Sequence, residues 1–257
     1  MPRLPRKKSE SGIYHIMLRG IDYQTIFYED TDNIRFIHTL QRAKQLSETV
    51  IYGYCLMGNH VHLLVKEGKE EISAFMKRIG TGYARWYNWK YERSGHLFQN
   101  RYGSEPVEND RYLVTVLRYI HNNPVKANLV NKPEQWNWSS CKTYYSENRP
   151  PDELIETSFI LSMFSNKKNT AIDLFRKFME EENSDQCLDY EKPKKKSDLE
   201  VMEEVMKLTD NQGVQALKGL PKKERDTLLR ALKQQEGITC RQIARVLGLS
   251  TSLVLKA

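Results

Sequence analysis

The chain has 257 residues, 39% of them hydrophobic and 10% aromatic, which suffices for a buried core plus a smaller second domain and argues against wholesale disorder. No apolar run approaches the ~18–20 residues that a membrane-spanning helix needs, and the basic N-terminal MPRLPRKK has no apolar stretch behind it, so neither an anchor nor a secretory leader is expected. The net charge of +7 sits wholly in residues 1–150, with 22 Lys+Arg against 15 Asp+Glu, whereas 151–257 balance at 18 each; a basic surface attracts phosphate backbones, although a merely solvated basic face has the same composition.

In chain order, residues 12–20 read as a strand ending at a glycine. Residues 32–46 carry Phe36, Leu40, Ala43 and Leu46 at helical spacing behind Thr31 or Asp32 as cap. Residues 49–57 are rich in β-branched and aromatic residues and form a hairpin with 61–65 across the Gly58-Asn59 break. A long amphipathic helix is expected over 70–91, extended chain over 97–107, and a helix capped by Asp110 and running to about Asn122, stopped by Pro124. This order predicts an α+β domain over residues 1–150, a ferredoxin-like split-βαβ fold with an antiparallel sheet. A helical connector (151–182), a polar linker (183–198) and an all-helical unit (199–257) follow. Cys55, Cys141, Cys187 and Cys240 lie far apart with no CxxC pair, and are expected as reduced thiols of a cytoplasmic protein.

His60 and His62, two apart on a strand, project from one face, while Val61 points into the core. Two converging imidazoles can hold a divalent cation, but an HxH pair alone does not separate ligands from packed histidines. On the 110–122 helix, Leu113, Val116, Leu117 and Ile120 form the buried stripe, and Tyr119 and Asn123, four apart, share a flank. That spacing can bring a phenol and an amide oxygen to one point. Two histidines and an amide leave positions open for water and phosphate oxygens, which suits Mg²⁺ or Mn²⁺ better than a closed zinc site. Most tyrosines on amphipathic helices simply pack, and the chain has 14 of them.

The segments GNHVHLLV (58–65), GHLFQNRYGSEPV (95–107), YLVTVLRYIHNNPVKANLV (112–130) and WNWSSCKTY (136–144) together resemble the single-tyrosine HUH transposases, and within them the REP-associated tyrosine transposase branch. The resemblance covers roughly residues 10–145. It implies metal binding by His60 and His62, a nucleophilic Tyr119, and a polar ligand one turn later at Asn123, where related transposases often have glutamine. It further implies a metal-dependent endonuclease and strand transferase that acts on single-stranded or hairpin DNA through a 5′-phosphotyrosine, as a monomer or homodimer. Arg101 and Tyr102 are candidates for phosphate contact and base stacking, with Arg19 weaker. His15 is as well explained by a structural role. Trp86, Trp136 and Trp138 read as packing, and Trp89 stays open.

Residues 237–254 resemble a helix-turn-helix DNA-binding unit, with Thr239 capping the first helix, Ile243, Ala244 and Leu247 facing inward, Gly248 at the turn and Ser250 opening the second helix. The second helix has about two turns before Ala257, so it is short or the chain was cut there. A plain helical bundle for protein contacts fits the same pattern. Competing readings fare worse: a barrel amidohydrolase needs more metal-binding positions than the scattered His15, His38, His96 and His121 supply, and a histidine-triad hydrolase wants histidine where Leu64 stands. A DNA-binding regulator with an inactive HUH domain finds no support, since His60, His62 and Tyr119 are all present.

Overall fold

A computed structural model describes residues 6–145, 154–189, 196–209, 213–235 and 237–257. The chain divides into two compact units, Met1–Asp189 and Tyr190–Ala257. In the first, β1 (Ile13–Arg19), α1 (Asp30–Ser47), β2 (Val50–Met57), β3 (His60–Lys66), α2 (Ile72–Lys90), β4 (Gly103–Pro106) and α3 (Asp110–Lys126) follow in order. The four strands form one sheet in the order β2-β3-β1-β4, every neighbouring pair antiparallel. This is the split-βαβ arrangement expected from the element order.

Register decides which side chains share a face. In the β1–β3 ladder Arg19 lies opposite His60, Met17 opposite His62 and His15 opposite Leu64, and β4 sets Glu105 opposite His15. Directly opposed residues point the same way, so Arg19, His15, His60, His62 and Glu105 all project from one face. Helix α3 covers that face. Its approach depends on Gly53 of β2, where an added Cβ would sit 2.4 Å from Leu117 Cδ1. The other face, with Ile16, Leu18, Val61 and Leu63, is buried together with Phe36 and Leu40 of α1 and Phe75, Ile79 and Tyr83 of α2 in one core.

Several expectations at element ends need correction. Of the extended stretch 97–107 only Gly103–Pro106 is strand, with one isolated bridge from Phe98 to Gly20; Arg101 and Tyr102 therefore precede β4 and do not lie in it. Helix α1 starts at Asp30 with Glu29 as its cap, and Asp32, inside the first turn, accepts from the Tyr28 and Glu29 amides. Asn109, and not Asp110, caps α3 by accepting from the Tyr112 amide at 2.8 Å. Pro124 does not stop α3, which runs on to Lys126. The proline removes one hydrogen bond in the last turn, and the packing of Leu113, Val116, Leu117 and Ile120 outweighs that loss.

After α3 come three shorter helices, α4 (Cys141–Tyr144), α5 (Ser158–Ser162) and α6 (Lys168–Glu180). They join the first unit's core, with Tyr144 stacked on Phe175 at 4.8 Å. Trp136 packs by donating its indole N–H to the Leu56 carbonyl. The second unit contains α7 (Asp198–Leu208), α8 (Gly213–Gly219), α9 (Lys222–Gln234), α10 (Cys240–Leu247) and α11 (Thr251–Lys256) around a separate core that includes Val205, Leu229, Leu232, Ile243, Leu247 and Val254. Thr239 caps α10, Gly248 takes φ 60° in the turn, and Ser250 caps α11. Among the described residues no helix is long and apolar enough to cross a membrane, and the four cysteines are free thiols.

His121 of α3 lies against Tyr144, with its Nε2 2.8 Å from Ser140 Oγ. It is fully buried, and burial pushes its pKa down to about 3. As pH falls through 6.5 the unfolded chain takes up a proton on this ring and the folded chain does not, so stability is lost as pH drops between roughly 6 and 4. His121→Gln is expected to remove one proton's share of that dependence, about 1.4 kcal/mol per pH unit. Denaturant titrations of both proteins across this range check it; parallel curves would refute the assignment.

Candidate active site

The three histidines of the α3-facing side form a cluster. The His60 and His62 rings are 5.1 Å apart and nearly perpendicular, and His15 and His62 are 5.2 Å apart. Tyr119 of α3 stands over the cluster, its ring 5.8 Å from His62 and 6.0 Å from His15. The site therefore combines two adjacent strands and the helix that crosses them, all within one chain.

Electrostatics keep these histidines neutral. Burial pushes His60 down to about 4, helped by the positive Arg19. Burial also drives His62 well below the usual histidine range, with His15, His60 and Arg19 adding to the effect, and it lowers His15 against the opposing pull of Glu105. A neutral imidazole offers one lone pair and one N–H. In His60, Nδ1 lies 2.6 Å from Asn59 Oδ1, which only accepts, so Nδ1 carries the proton and Nε2 the lone pair. In His62, Nδ1 is engaged with His15 Nε2 at 2.9 Å. His60 Nε2 and His62 Nε2 are both buried without a hydrogen-bond partner among the described residues.

Two orphaned imidazole nitrogens in one neutral pocket fit a divalent cation. Asn123 adjoins them: its side chain acts on both the His60 ring and the Tyr119 hydroxyl, and its Nδ2 donates to the Tyr119 carbonyl at 3.4 Å, which leaves Oδ1 for the site. Among the described residues no group of three or more His, Cys, Asp or Glu converges as a metal cage. The donor set is thus two nitrogens and an amide oxygen, open on its remaining sides.

The polar stretch 183–198, read as a linker, contributes residues that composition did not reveal. Arg118 holds Asp185 with two hydrogen bonds, Nε to Oδ2 at 2.7 Å and Nη2 to Oδ1 at 3.1 Å, while its guanidinium lies 3.9 Å from the centre of the Phe178 ring. The Leu188 amide donates to Glu105 Oε2 at 3.1 Å. Asp189 then reaches the cluster: Tyr119 Oη donates to its Oδ2 at 2.7 Å, and Arg19 Nη2 to its Oδ1 at 3.2 Å. Burial and the Asp189 carboxylate together hold the Tyr119 phenol far above the usual tyrosine range. Within the rest of the stretch, 190–195 lie outside the described residues, and Lys196 pairs with Glu204.

Arg19 therefore belongs to the cluster together with His60, His62, Tyr119 and Asn123. Arg101 and Tyr102 do not. They line a separate groove of about 590 Å³ with Arg6, Lys77, Arg85 and His96, where the Arg6 guanidinium sits 3.6 Å from the centre of the Tyr102 ring. A further groove of about 540 Å³ between α1 and α2 is lined by Arg35, Arg42, Lys77, Arg78 and Arg85. Trp89 is exposed.

Comparison with known proteins finds similarity over the stretch that holds these residues. Residues 8–123 match the family model described as transposase, IS200-like. A relative described as a putative REP-associated tyrosine transposase, from Haemophilus influenzae (strain ATCC 51907 / DSM 11121 / KW20 / Rd), is 28% identical over 98 residues, 34% of this chain. The match spans just over half of that relative's length, 55%. Among solved structures, a REP-associated tyrosine transposase bound to a REP hairpin is similar at a TM-score of 0.49 and 17% identity, over 62% of this chain and 96% of that one. A putative transposase from Deinococcus radiodurans R1 is similar at a TM-score of 0.34 and 17% identity, over 47% and 97% of the two chains. Residues 8–123, the stretch similar to the IS200-like transposases, hold His15, Arg19, His60, His62, Tyr119 and Asn123.

Proposed function

We propose that the first unit cuts and rejoins single-stranded DNA, with Tyr119 as nucleophile and His60, His62 and Asn123 as ligands of Mg²⁺ or Mn²⁺. The observation that carries this reading is the meeting of two orphaned, neutral imidazole nitrogens with a tyrosine hydroxyl on one face of the sheet. When bound, the cation polarises the scissile phosphate and offsets its growing charge. The Tyr119 oxygen attacks phosphorus as the bond to the 3′ oxygen breaks, and the proton lost from the phenol is balanced by the one the departing 3′ oxygen takes up. A 5′-phosphotyrosine and a free 3′-OH result. The ester retains the bond energy, so a 3′-OH can reverse the step and join strands. Arg19 would face the phosphate, and the basic grooves lined by Arg85 and Arg101 supply further contacts to the backbone. We take the substrate to be a hairpin, the DNA to which the similar REP-associated tyrosine transposase is bound.

Asp189 stands where the phosphate would bind, since one carboxylate occupies both Arg19 and the Tyr119 hydroxyl. Substrate entry then requires it to leave. In the second unit, α10 and α11 form a helix-turn-helix whose exposed Thr251, Ser252, Leu255 and Lys256 would read duplex DNA.

Tyr119→Phe is expected to abolish a covalent protein–DNA adduct on labelled hairpin DNA with Mn²⁺ while leaving affinity nearly unchanged. His60→Ala is expected to weaken Mn²⁺ binding and to lose cleavage. An adduct of normal yield from Tyr119→Phe would move the nucleophile to another tyrosine, Tyr112 first, and full cleavage in excess chelator would remove the metal. Asp189→Ala should speed cleavage at subsaturating DNA several-fold, because it frees Arg19 and lowers the barrier to ionising the phenol; slower cleavage would instead make Asp189 a helper of the reaction. A chain ending at Asp189 should still cut a short single strand but bind a duplex-armed hairpin more weakly. Equal hairpin affinity would turn the second unit into a protein-contact module.

A further inference from the structure

His15 is fully buried beside the two candidate ligands yet holds no position among them. Its Nε2 lies 2.9 Å from His62 Nδ1, and between two neutral rings only one of these nitrogens can carry the shared proton. On the far side of the ring, His15 Nδ1 faces Glu105 Oε2 at 3.8 Å. The carboxylate is held there by the β1–β4 register, which sets Glu105 opposite His15, and by the Leu188 amide.

The two possible proton placements are not equivalent. If His15 Nε2 carries the proton, the bare Nδ1 lone pair of His15 faces a carboxylate oxygen, and two electron-rich atoms oppose each other. His62 must then bear its proton on Nε2, a buried donor with no acceptor among the described residues. If His62 Nδ1 carries the proton, it donates to His15 Nε2, and His15 Nδ1–H points at Glu105. The His62 N–H then has an acceptor, the His15 N–H points at a carboxylate 3.8 Å away, too far for a hydrogen bond but of favourable charge, and His62 Nε2 is left as a lone pair. Asn59 does the same for His60, because its Oδ1 can only accept from His60 Nδ1.

We propose that His15, oriented by Glu105, fixes His62 in the Nδ1–H tautomer and so aims its Nε2 lone pair into the site, making His15 and Glu105 positioning residues for the bound cation. The inference deepens the metal reading and rests on it for its purpose, but the tautomer itself exists without metal. A hydrogen bond to the rear nitrogen of a ligating imidazole fixes the ring and raises its basicity, and its loss typically weakens metal binding about 10–100-fold.

The test uses full-length protein labelled with ¹⁵N in histidine. Long-range ¹H–¹⁵N spectra at pH 7.5 without metal are expected to show His62 protonated at Nδ1. In His15→Leu, which cannot accept, His62 should move toward Nε2–H, and calorimetry should show Mn²⁺ binding weakened about 10–100-fold. His15→Gln, whose Oε1 can accept, should keep the Nδ1–H signature and restore most of the affinity, a rescue that loss of packing would not give. Glu105→Leu should shift the tautomer in the same direction as His15→Leu. A wild-type His62 protonated at Nε2 would overturn the proposal, as would a folded His15→Leu with wild-type Mn²⁺ affinity. Wild-type protein with the Nδ1–H tautomer and no Mn²⁺ binding would overturn the metal reading alone and uphold the orienting contact.

Discussion

Burying several imidazoles on one face of a sheet forces them to be neutral, and much of the first unit is arranged around that constraint. A charged ring under α3 would lose more hydration than the nearby Glu105 and Asp189 carboxylates return. A neutral ring still has an N–H that needs an acceptor, and each one's need passes to the next residue outward. His60 finds Asn59 at the hairpin turn, and His62 finds His15, which faces Glu105 on the edge strand β4. The chain thus ends at His15 Nδ1, which faces, at 3.8 Å, a carboxylate with about a third of its side chain exposed, 36%, where water can carry the charge. The lone pairs are left pointing the other way, into the site.

Alternation along a strand is a local property, so the shared face of His60 and His62 was legible from two residues. The four-residue spacing of Tyr119 and Asn123 was legible for the same reason, and both pairs lie where the sequence placed them. His15 was not legible as a partner. It meets His62 diagonally across the β1–β3 ladder, 47 positions away, and only the register reveals the contact. Asp189 was hidden more deeply, because a run of Asn, Asp, Gln and Lys has the composition of a linker whether or not it is tied down. What ties it is Arg118, a charged residue on the buried side of α3, which periodicity alone marks as an oddity. Arg101 and Tyr102 lie apart from the cluster because they precede β4 and line another groove.

The ends of α3 show how far local rules reach. Asp110 and Asn109 are both good caps, and sequence alone does not choose between them; the chain's entry angle into the helix does. Pro124 is a strong stop signal by propensity, but the helix is already held against β2, with Gly53 opening the space, and it continues for two residues more. Without that continuation Asn123 would sit in a fraying end, and its amide would not be held beside His60.

The two anchors of the 183–189 segment differ in strength for a physical reason. The Arg118–Asp185 pair is nearly enclosed, with side chains 10% and 12% exposed, and it is bidentate. Separating such a pair leaves an uncompensated buried charge, which typically costs about 3–5 kcal/mol. The Arg19–Asp189 contact is single and longer, and Asp189 is 35% exposed, so water screens it and replaces it at small cost. In the proposed reaction an incoming phosphate would compete with Asp189 for the same guanidinium and bring more negative charge. The segment would therefore yield at its tip while its base stays fixed on α3. Since the base holds Arg118 and lies beside Lys126, whose ammonium sits over the Tyr119 ring at 4.6 Å, the helix bearing Tyr119 would keep its position while the cover over the tyrosine exchanged.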